Sequence, residues 1–503
     1  MRALLCERDR VMGGLLSDIL HALLPMGALA VLADAFAAPR GSGLAGGRRA
    51  SGLAALLLAT LTGFGLLLIL TGSPIVAAAG VVILIGALSL ISNIKRRVLG
   101  EPLVFSDFAL LGAVFRHPQF YLSALRPWQV VVLAGGLIGL GGTLVLLSNA
   151  AVAPRLAGAG LALGAGTVLA MALARLVRAG FAEVPDPDAD VARLGLLPCL
   201  LAHWRFWCVS SDPLPCDATP ITGDPHQLVV IVQCESFTDP AELFGDPALA
   251  LPGLERARAM AWQSGRLAVS GFGAYTMRTE YGVLFGLPEE RLGMRRFDPF
   301  LTAKREASWA LPNRLDHGSW DRWFVHPHDM RFYGRNRLMP ASGFATLVGQ
   351  EFFPKPGPGE GRYVTDAAMT DQILALAQDG ERAGLIYAVT IENHGPWPAE
   401  QGDEKKLIAP YLRLLANSDA MLTRLLDELP RLGRPVTFCF FGDHRPSIPR
   451  ASEPGAERHT PYVLLRFAAN GKAITGSGTA RDLAPAMLHH AILDAIRLGQ
   501  AKG

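Results

Sequence analysis

The first third of the chain contains five apolar runs, each close to the length that a helix needs to cross a bilayer. A helical span takes about 20 predominantly apolar residues. The chain is 50% hydrophobic and only 18% charged, with a mean hydropathy of +0.29, and the apolar excess lies in this region. The sequence therefore predicts an α-helical N-terminal membrane domain of about five spans over residues 1–178. The runs occupy residues 12–37, 52–70, 75–94, 128–147 and 156–174.

The orientation of these spans is ambiguous. The first run contains Asp18 and Asp34, and ionisable residues inside a span are costly. If the N-terminus is cytoplasmic, five spans place everything after residue 178 outside, together with the basic loops at Arg48 and Lys95–Arg97. The positive-inside rule favours a cytoplasmic location for such loops. Basic groups held by anionic lipid headgroups would partly resolve this conflict.

Two shorter stretches are predicted to lie at the membrane surface. Residues 95–111 are amphipathic and too short to span. Residues 179–226 are predicted to be a linker that contains an interfacial helix around Val191–Cys208. Cys208 and Cys216 in this linker could form a disulfide outside the cytoplasm or remain free thiols. The formal net charge of only +3 does not suggest nucleic-acid binding.

From residue 227 onward, short apolar strands alternate with helical stretches, which predicts an α/β domain with a mostly parallel central sheet over 227–503. Helices are expected at residues 366–378, at 411–429 and after Asp482. The predicted strands are Leu228–Cys234, Arg266–Ser270, Trp320–Val325, Leu385–Ile391, Val436–Phe441 and Tyr462–Phe467.

Polar residues follow several of these strands directly. Glu235 follows the first strand, and Asp443 and His444 follow the apolar run V-T-F-C-F-F-G. In open α/β sheets, ligands bind at the carboxyl ends of the strands. An Asp–His pair at such a position can hold a divalent metal ion, although a turn with a solvated Asp and a capping His explains the pair equally well.

Thr276 is the candidate nucleophile. It follows a glycine-rich turn, at the point where a helix should begin, and a helix N-terminus favours a phosphate or a sulfate. A Thr hydroxyl is a poor nucleophile unless its proton is removed, which metal coordination can achieve. The alternative is that Thr276 only caps the helix.

Together these motifs resemble the lipoteichoic acid synthase and phosphoglycerol transferase family of the alkaline phosphatase and sulfatase superfamily. The shared motifs are Glu235 after an apolar strand, Thr276 in A-Y-T-M-R-T-E-Y, and F-G-D-H. The resemblance implies one manganese ion, with Mg²⁺ or Zn²⁺ as alternatives, held by Glu235, Thr276, Asp443 and His444.

The resemblance also implies substrate ligands. H-P-H-D-M-R-F-Y-G-R resembles the family's substrate-binding stretch and places His326, Tyr333 and Arg335 at its positions. The family often has Trp and Asn where this chain has Tyr333 and Gly334. T-I-E-N-H-G-P-W resembles a further family segment and gives His394 as a substrate ligand or proton donor.

The implied function is a transferase of the inner membrane, multi-pass, with an extracytoplasmic catalytic domain. It moves phosphoglycerol or a related headgroup from a membrane phospholipid, through a Thr-linked intermediate, to a glycan or polymer. A phosphoethanolamine transferase is an alternative, although that class usually has several disulfides. A sulfatase or phosphodiesterase-type hydrolase is another, but the C-x-P-x-R motif of sulfatases is missing from the sequence. A non-catalytic sulfatase-like membrane scaffold would not need the Glu, Thr, Asp and His set.

Overall fold

The chain forms two compact units in a computed structural model, Met1–Ser210 and Ser211–Gly503. The predicted domain limits at residues 178 and 226 remain predictions. The structure describes residues 2–40, 49–110, 127–178, 185–357, 359–378, 382–397, 404–476 and 478–500.

The N-terminal unit is helical. Among the described residues, four helical segments are long and apolar enough to cross a membrane: Gly14–Ala35, Ala50–Thr71, Pro74–Leu99 and Val152–Arg178. The predicted run at 128–147 also forms a helix, whereas the basic Arg48 lies outside the described residues. The helices are α1 (Arg2–Ala35), α2 (Ala50–Thr71), α3 (Pro74–Leu99), α4 (Pro127–Leu146), α5 (Val152–Arg178), α6 (Pro187–Leu194) and α7 (Leu196–Val209).

Small residues let α2 and α5 pack backbone to backbone. A Cβ atom on Gly65 would lie 2.6 Å from the carbonyl oxygen of Gly158, and one on Gly158 would lie 2.7 Å from that of Gly65. Close approach through glycines is typical of helix pairs in membranes. Asp34, the acid that weakened the first predicted span, is buried and accepts a hydrogen bond from the backbone N–H of Leu197 at 2.9 Å. It therefore caps the first turn of α7.

Two of the basic residues in the predicted interfacial segment contact carboxylates of the same unit. Lys95 Nζ lies 3.0 Å from Glu101 and 2.7 Å from Asp107. Arg96 donates to both carboxylate oxygens of Asp188, at 2.9 and 3.3 Å. These charges are paired within the protein, and they do not need lipid headgroups to balance them. Cys208 and Cys216 are free thiols.

The second unit is built on a seven-stranded sheet of order β2-β7-β6-β1-β5-β3-β4, in which β7 alone runs opposite to the other described strands. This confirms the α/β class and the mostly parallel sheet. The strands are β1 (Leu228–Cys234), β2 (Gln263–Ala268), β3 (Trp320–Val325), β4 (Thr346–Val348), β5 (Ala383–Val389), β6 (Val436–Gly442) and β7 (His459–Phe467).

Sequence patterns locate β1 and β3 better than the edge strands β2 and β4, while the central strand β5 lies two residues before its predicted limits of Leu385–Ile391. The predicted limits of β1 and β3 are confirmed, since polar residues directly follow each strand and mark its end. The limits predicted for the strand at β2, Arg266–Ser270, were wrong by about three residues. Strand β4 was not predicted, because three residues are too few to show a pattern.

Helices cover the sheet and pack through apolar faces. Alternate residues of β1, such as Val230 and Val232, share a buried core with Leu254, Met369 and Leu422 of three helices. The helix that begins at Thr276 packs instead against the C-terminal helix. The helices of this unit are α8 (Pro240–Phe244), α9 (Pro252–Met260), α10 (Thr276–Phe285), α11 (Arg335–Ala341), α12 (Asp366–Gln378), α13 (Glu404–Glu428) and α14 (Pro485–Gln500).

Candidate active site

A cluster of two acids and an imidazole lies at the carboxyl ends of β1 and β6. The two strands are parallel neighbours, and their register pairs Cys234 with Gly442, so the residues that follow meet at one edge. One ligand atom each of Glu235, Asp443 and His444 lies within 4.8 Å of the others. All three residues are buried. The structure therefore brings together three of the four metal ligands that the resemblance implies.

Hydrogen bonds turn this cluster toward a common centre. Oδ1 of Asp443 accepts from the backbone N–H groups of Ser236 and His444, both at 2.8 Å. Its Oδ2 is buried without a hydrogen-bond partner among the described residues. Nδ1 of His444 lies 3.2 Å from the Arg445 carbonyl oxygen and donates to it. This leaves Nε2 of His444 as a ligand atom, 3.5 Å from Glu235 and 3.4 Å from Oδ2 of Asp443.

Nearby positive charges among the described residues offset the two carboxylates of the cluster only in part. Burial, and next the charge of Asp443, raise the pKa of Glu235 to about 8. A divalent cation would neutralise both carboxylates and take up the free Oδ2 of Asp443. Two carboxylates and an imidazole suit Mn²⁺, Mg²⁺ or Zn²⁺. The residues present therefore fit a metal ion, whose identity they do not fix.

Thr276 is the first residue of α10 and is 8% exposed. Two hydrogen bonds link this end of the helix to the segment that contains Asp443 and His444. The backbone N–H of Gly273 donates to the Arg445 carbonyl oxygen at 2.8 Å, and Thr279 Oγ1 donates to that of Asp443 at 2.7 Å. Thr276 has no side-chain role in capping here, because the N-cap residue is Tyr275.

Strained backbone occurs on both sides of the cluster. Tyr275, directly before Thr276, has a φ of 73°, and Ser236, directly after Glu235, has a φ of 52°. Non-glycine residues rarely adopt this left-handed region, and such strain concentrates at functional sites. The guanidinium of Arg278 lies 3.8 Å from the Tyr275 ring centroid and holds that residue in place. The sequence carried no signal for either strained residue.

Arg335 is buried in a bidentate ion pair with Glu280 of α10. Its Nε lies 3.1 Å from Oε1 of Glu280 and its Nη2 lies 2.5 Å from Oε2. Nη1 lies 3.4 Å from Nε2 of His326. A guanidinium has five N–H donors, so these three contacts leave two for a substrate. Glu280 stands one turn after Thr276 in the sequence, but no sequence pattern identifies it as the partner of Arg335.

The other predicted substrate ligands surround Arg335. His326 Nδ1 lies 3.0 Å from the Val389 carbonyl oxygen, and burial, then Arg335, hold the pKa of His326 well below its usual value. The imidazole is therefore neutral and accepts from Arg335 through Nε2. Tyr333, at a φ of 54°, places its ring centroid 5.2 Å from the guanidinium carbon of Arg335. This aromatic contact comes from the position at which the family often has Trp.

His394 follows β5 and is partly buried. Its Nδ1 donates to the Gly395 carbonyl oxygen at 2.7 Å, and burial lowers its pKa. Its ring packs edge-on against Tyr363, with the centroids 5.8 Å apart. The resting imidazole is neutral, with Nε2 as its acceptor atom.

A second buried acid pair lies behind the strand ends, and sequence reasoning missed it. Asp366 is fully buried and accepts from Ser418 at 2.6 Å, while its Oδ1 has no partner among the described residues. Its backbone N–H donates to Glu392 at 2.6 Å. Burial, and next the charge of Glu392, raise the pKa of Asp366 to about 7. Asp366 opens a predicted helix, and only the fold reveals that it is buried.

Comparisons with known proteins agree with this architecture. A family model described as Sulfatase matches residues 227–493. The capsular polysaccharide biosynthesis protein RkpI of Rhizobium meliloti (strain 1021) is 30% identical over 454 residues, which are 84% of this chain and 83% of that protein.

Two solved structures are similar in fold. The integral membrane protein lipooligosaccharide phosphoethanolamine transferase A (EptA) from Neisseria meningitidis matches with a TM-score of 0.53 at 12% identity, over 93% of this chain and 95% of that one. The Streptococcus pyogenes phosphoglycerol transferase GacH, in complex with sn-glycerol-1-phosphate, matches with a TM-score of 0.44 at 17% identity, over 54% of this chain and 74% of that one.

Apolar helices followed by an α/β domain are the architecture that this chain shares with the membrane phosphoethanolamine transferase. The chain belongs to the sulfatase family. The predicted membership of the alkaline phosphatase and sulfatase superfamily is thereby confirmed. The roles of the individual site residues remain predictions.

Proposed function

We propose that the protein is a metal-dependent phosphotransferase that moves phosphoglycerol, or a related phospho-headgroup, from a membrane phospholipid to a glycan of the cell envelope. Thr276 carries the headgroup between donor and acceptor. The observation that carries the proposal is α10: this helix begins at Thr276, contacts Asp443 through Thr279, and pairs with Arg335 through Glu280. The same short helix thus carries Thr276 and contacts both the proposed cation site and the proposed phosphate site, which supports Thr276 as the nucleophile between them.

The name of the curated relative supports the class of acceptor. RkpI is described as a capsular polysaccharide biosynthesis protein, and it aligns with 84% of this chain. The apolar helices support a lipid donor, because they hold the enzyme at the surface in which the donor lies. Transfer of a lipid-derived headgroup to a glycan accounts for both observations.

The proposed reaction has two displacements at one phosphorus atom. The Thr276 hydroxyl oxygen attacks the phosphodiester phosphorus of the lipid headgroup, the bond from phosphorus to the diacylglycerol oxygen breaks, and diacylglycerol leaves with a proton. A glycan hydroxyl then attacks the phosphorus, and the bond to Thr276 breaks as Thr276 recovers a proton.

The surrounding residues stabilise both displacements. A divalent ion held by Glu235, Asp443 and His444 would act as a Lewis acid and lower the pKa of a hydroxyl bound to it. The two remaining N–H groups of Arg335 and the backbone N–H groups at the start of α10 offset charge on the phosphoryl oxygens. His394, neutral at rest, is the proposed carrier of the transferred proton, because its Nδ1–H is fixed on Gly395 and its Nε2 accepts.

Lipid turnover by the purified full-length chain tests this proposal. The chain is incubated with phosphatidylglycerol or phosphatidylethanolamine, each labelled in the headgroup, and diacylglycerol release is measured. Excess chelator should abolish release, and Mn²⁺ should restore it better than Ca²⁺, which prefers more ligands and longer bonds. Full release in excess chelator would refute the metal mechanism. The lipid that is consumed identifies the headgroup.

We propose further that the catalytic unit lies outside the cytoplasm, in a protein of the inner membrane. The pairing of Lys95 and Arg96 with nearby carboxylates supports this, because such residues are poor guides to orientation when they are bound within the protein. Protease added to intact spheroplasts should cut between residues 185 and 220 and release a soluble fragment that contains Thr276. Release only after the membrane is broken would place the unit in the cytoplasm.

A further inference from the structure

A large pocket lies beside His394 in the catalytic unit. Its volume is about 1060 Å³, slightly above the range of roughly 300–1,000 Å³ that is typical of small-molecule sites. Its walls come from residues 360–363, from the segment after β5, and from the first turns of α13. His394 belongs both to this wall and to the proposed catalytic set, so an occupant of the pocket would reach the reacting centre.

An aromatic surface forms part of the wall. Trp397 is partly buried, and its indole N–H donates to the side-chain oxygen of Asn393 at 3.1 Å. Its ring packs edge-on against the buried Tyr411, with the centroids 5.2 Å apart. Tyr363 lines the pocket and packs against His394. A fixed indole plane of this kind offers the apolar face on which the C–H groups of a sugar ring pack.

The charged side chains on the pocket wall differ in whether they are available to bind a ligand. Its two carboxylates are engaged by the fold: Glu392 accepts from the Asp366 backbone N–H at 2.6 Å and from Asn417 at 2.7 Å, and Glu360 accepts from the Gly357 backbone N–H at 2.6 Å. Three cations share the wall with them, and all three are exposed: Arg362, Lys406 and Arg413.

Arg413 is the cation best placed to meet a ligand. Its guanidinium makes no hydrogen bond or close ion pair within the described part of the chain, although its charge lowers the pKa of Glu392 from a distance. An exposed guanidinium beside a fixed indole suits a carboxylate carried on a sugar ring, since Arg binds carboxylates in a bidentate manner.

We propose that this pocket binds the acceptor, and that the acceptor is an acidic glycan whose sugar rings pack on Trp397 and whose anionic groups pair with Arg413 and Arg362. The inference rests on the proposed function for the identity of the occupant as acceptor. The acyl chains of the donor are the competing occupant. They fit the wall less well, because exposed guanidinium groups would have to be desolvated against hydrocarbon.

Direct binding to the full-length chain in detergent tests the inference without any turnover. Calorimetric titrations use hexagalacturonate as the acidic probe and maltohexaose as its neutral counterpart. We expect hexagalacturonate to bind at least about tenfold more tightly than maltohexaose, since each guanidinium–carboxylate pair is worth roughly a factor of ten. Trp397→Ala and Arg413→Gln should each weaken hexagalacturonate binding by about tenfold.

Two further variants make the result specific. Trp397→Phe keeps an aromatic face and should recover most of the affinity that Trp397→Ala loses. Arg424→Gln is the matched control for Arg413→Gln: it lies on the same helix, but its guanidinium pairs with Asp371 at 2.6 Å. It should bind hexagalacturonate as the unmodified chain does.

These outcomes distinguish a failure of the pocket assignment from a failure of the proposed reaction. Equal binding of the two probes, or full affinity in Arg413→Gln, overturns the acidic-glycan assignment. Displacement of hexagalacturonate by phosphatidylglycerol micelles, with the same dependence on Trp397, overturns it in favour of the donor. Binding that follows the expected pattern in a chain that turns over no lipid supports the pocket and refutes the proposed function alone.

Discussion

The two halves of the carboxyl edge of the sheet have opposite chemistry. At β1 and β6, Glu235 and Asp443 bring two buried carboxylates together, and one oxygen of Asp443 lacks a partner among the described residues. At β3 and β5, His326 and His394 are neutral imidazoles, and Arg335 is the buried cation. The first half needs a cation to be complete, whereas the second already balances its own charge through Glu280.

From this difference we expect the metal ion and the phosphate of the donor to bind at different halves. The acid half attracts a metal ion and repels a phosphate, whereas the Arg335 half offers a phosphate the two N–H donors that Glu280 and His326 do not use. Consecutive residues of α10 bridge the halves, because Thr279 contacts Asp443 and Glu280 pairs with Arg335. Thr276, one turn earlier, is therefore positioned by both.

The largest expected effect comes from Asp443→Asn, which removes one of the two carboxylates of the acid half. Catalytic rate should fall by several orders of magnitude, because residues that act as one unit lose most activity singly. Metal affinity should fall by at least about 100-fold. A metal ion at 100 times its Kd stabilises a protein by about 2.7 kcal/mol, so the rise in Tm on adding Mn²⁺ should disappear.

The chain supplies a matched control. Asp371→Asn alters an exposed acid of α12 that pairs with Arg424 at 2.6 Å and does not belong to the metal cluster. It should keep both the activity and the Mn²⁺-dependent shift in Tm. An unchanged shift in Asp443→Asn would show that the metal binds elsewhere.

Glu280→Gln should disrupt the half of the sheet edge that contains Arg335. It leaves Arg335 buried without its counter-charge, and removing one partner of a buried pair costs about 3–5 kcal/mol. Thermal unfolding of the full chain in detergent should show a large loss, and lipid turnover should fall by about 100-fold as Arg335 moves. Mn²⁺ binding should persist. The double variant with Arg335→Gln should regain stability but not turnover, and failure to regain it would mean that the pair is not the source of the loss.

Asp366→Asn should have the smallest effect on activity, because Asp366 lies behind the strand ends. The pKa of Asp366 is about 7 in the folded chain, against 3.8 for an aspartate in an unfolded chain. The folded state thus holds a proton that the unfolded state releases between these values, so stability falls as pH rises through that window, by up to about 1.4 kcal/mol per unit. Below pH 3.8 both states are protonated and no stability is lost, and above about pH 7 the loss is complete.

Thermal unfolding at pH 5, 6, 7 and 8 measures this slope. Asp366→Asn should make the slope shallower, with the remainder coming from Glu235, whose pKa is also raised, and should keep lipid turnover within about twofold of the unmodified chain. An unchanged slope would show that Asp366 is not the titrating group. Because the acid pair of Asp366 and Glu392 is separate from the metal cluster, Asp366→Asn should lower the slope by the same amount in the Asp443→Asn background.

The sequence predicted the acid half well and the other half only in part. Glu235 directly follows one predominantly apolar strand, and the pair Asp443 and His444 follows another, so local pattern and the rule for parallel sheets suffice to bring them together. Arg335 depends on Glu280 of another element, and no periodicity encodes a pairing across 55 residues. Asp366 was missed for the same reason, since burial of a helix-opening acid is decided by tertiary packing.

The central claim, that Thr276 carries the headgroup between the halves, is tested most directly by trapping that intermediate. The full chain is mixed with headgroup-labelled phospholipid and Mn²⁺, quenched in acid without acceptor, digested, and analysed by mass spectrometry. The account predicts the mass of one phospho-headgroup on the peptide that contains Thr276, and its loss in Thr276→Ala and in Asp443→Asn. Label on another residue, or rapid lipid turnover by Thr276→Ala, would contradict it.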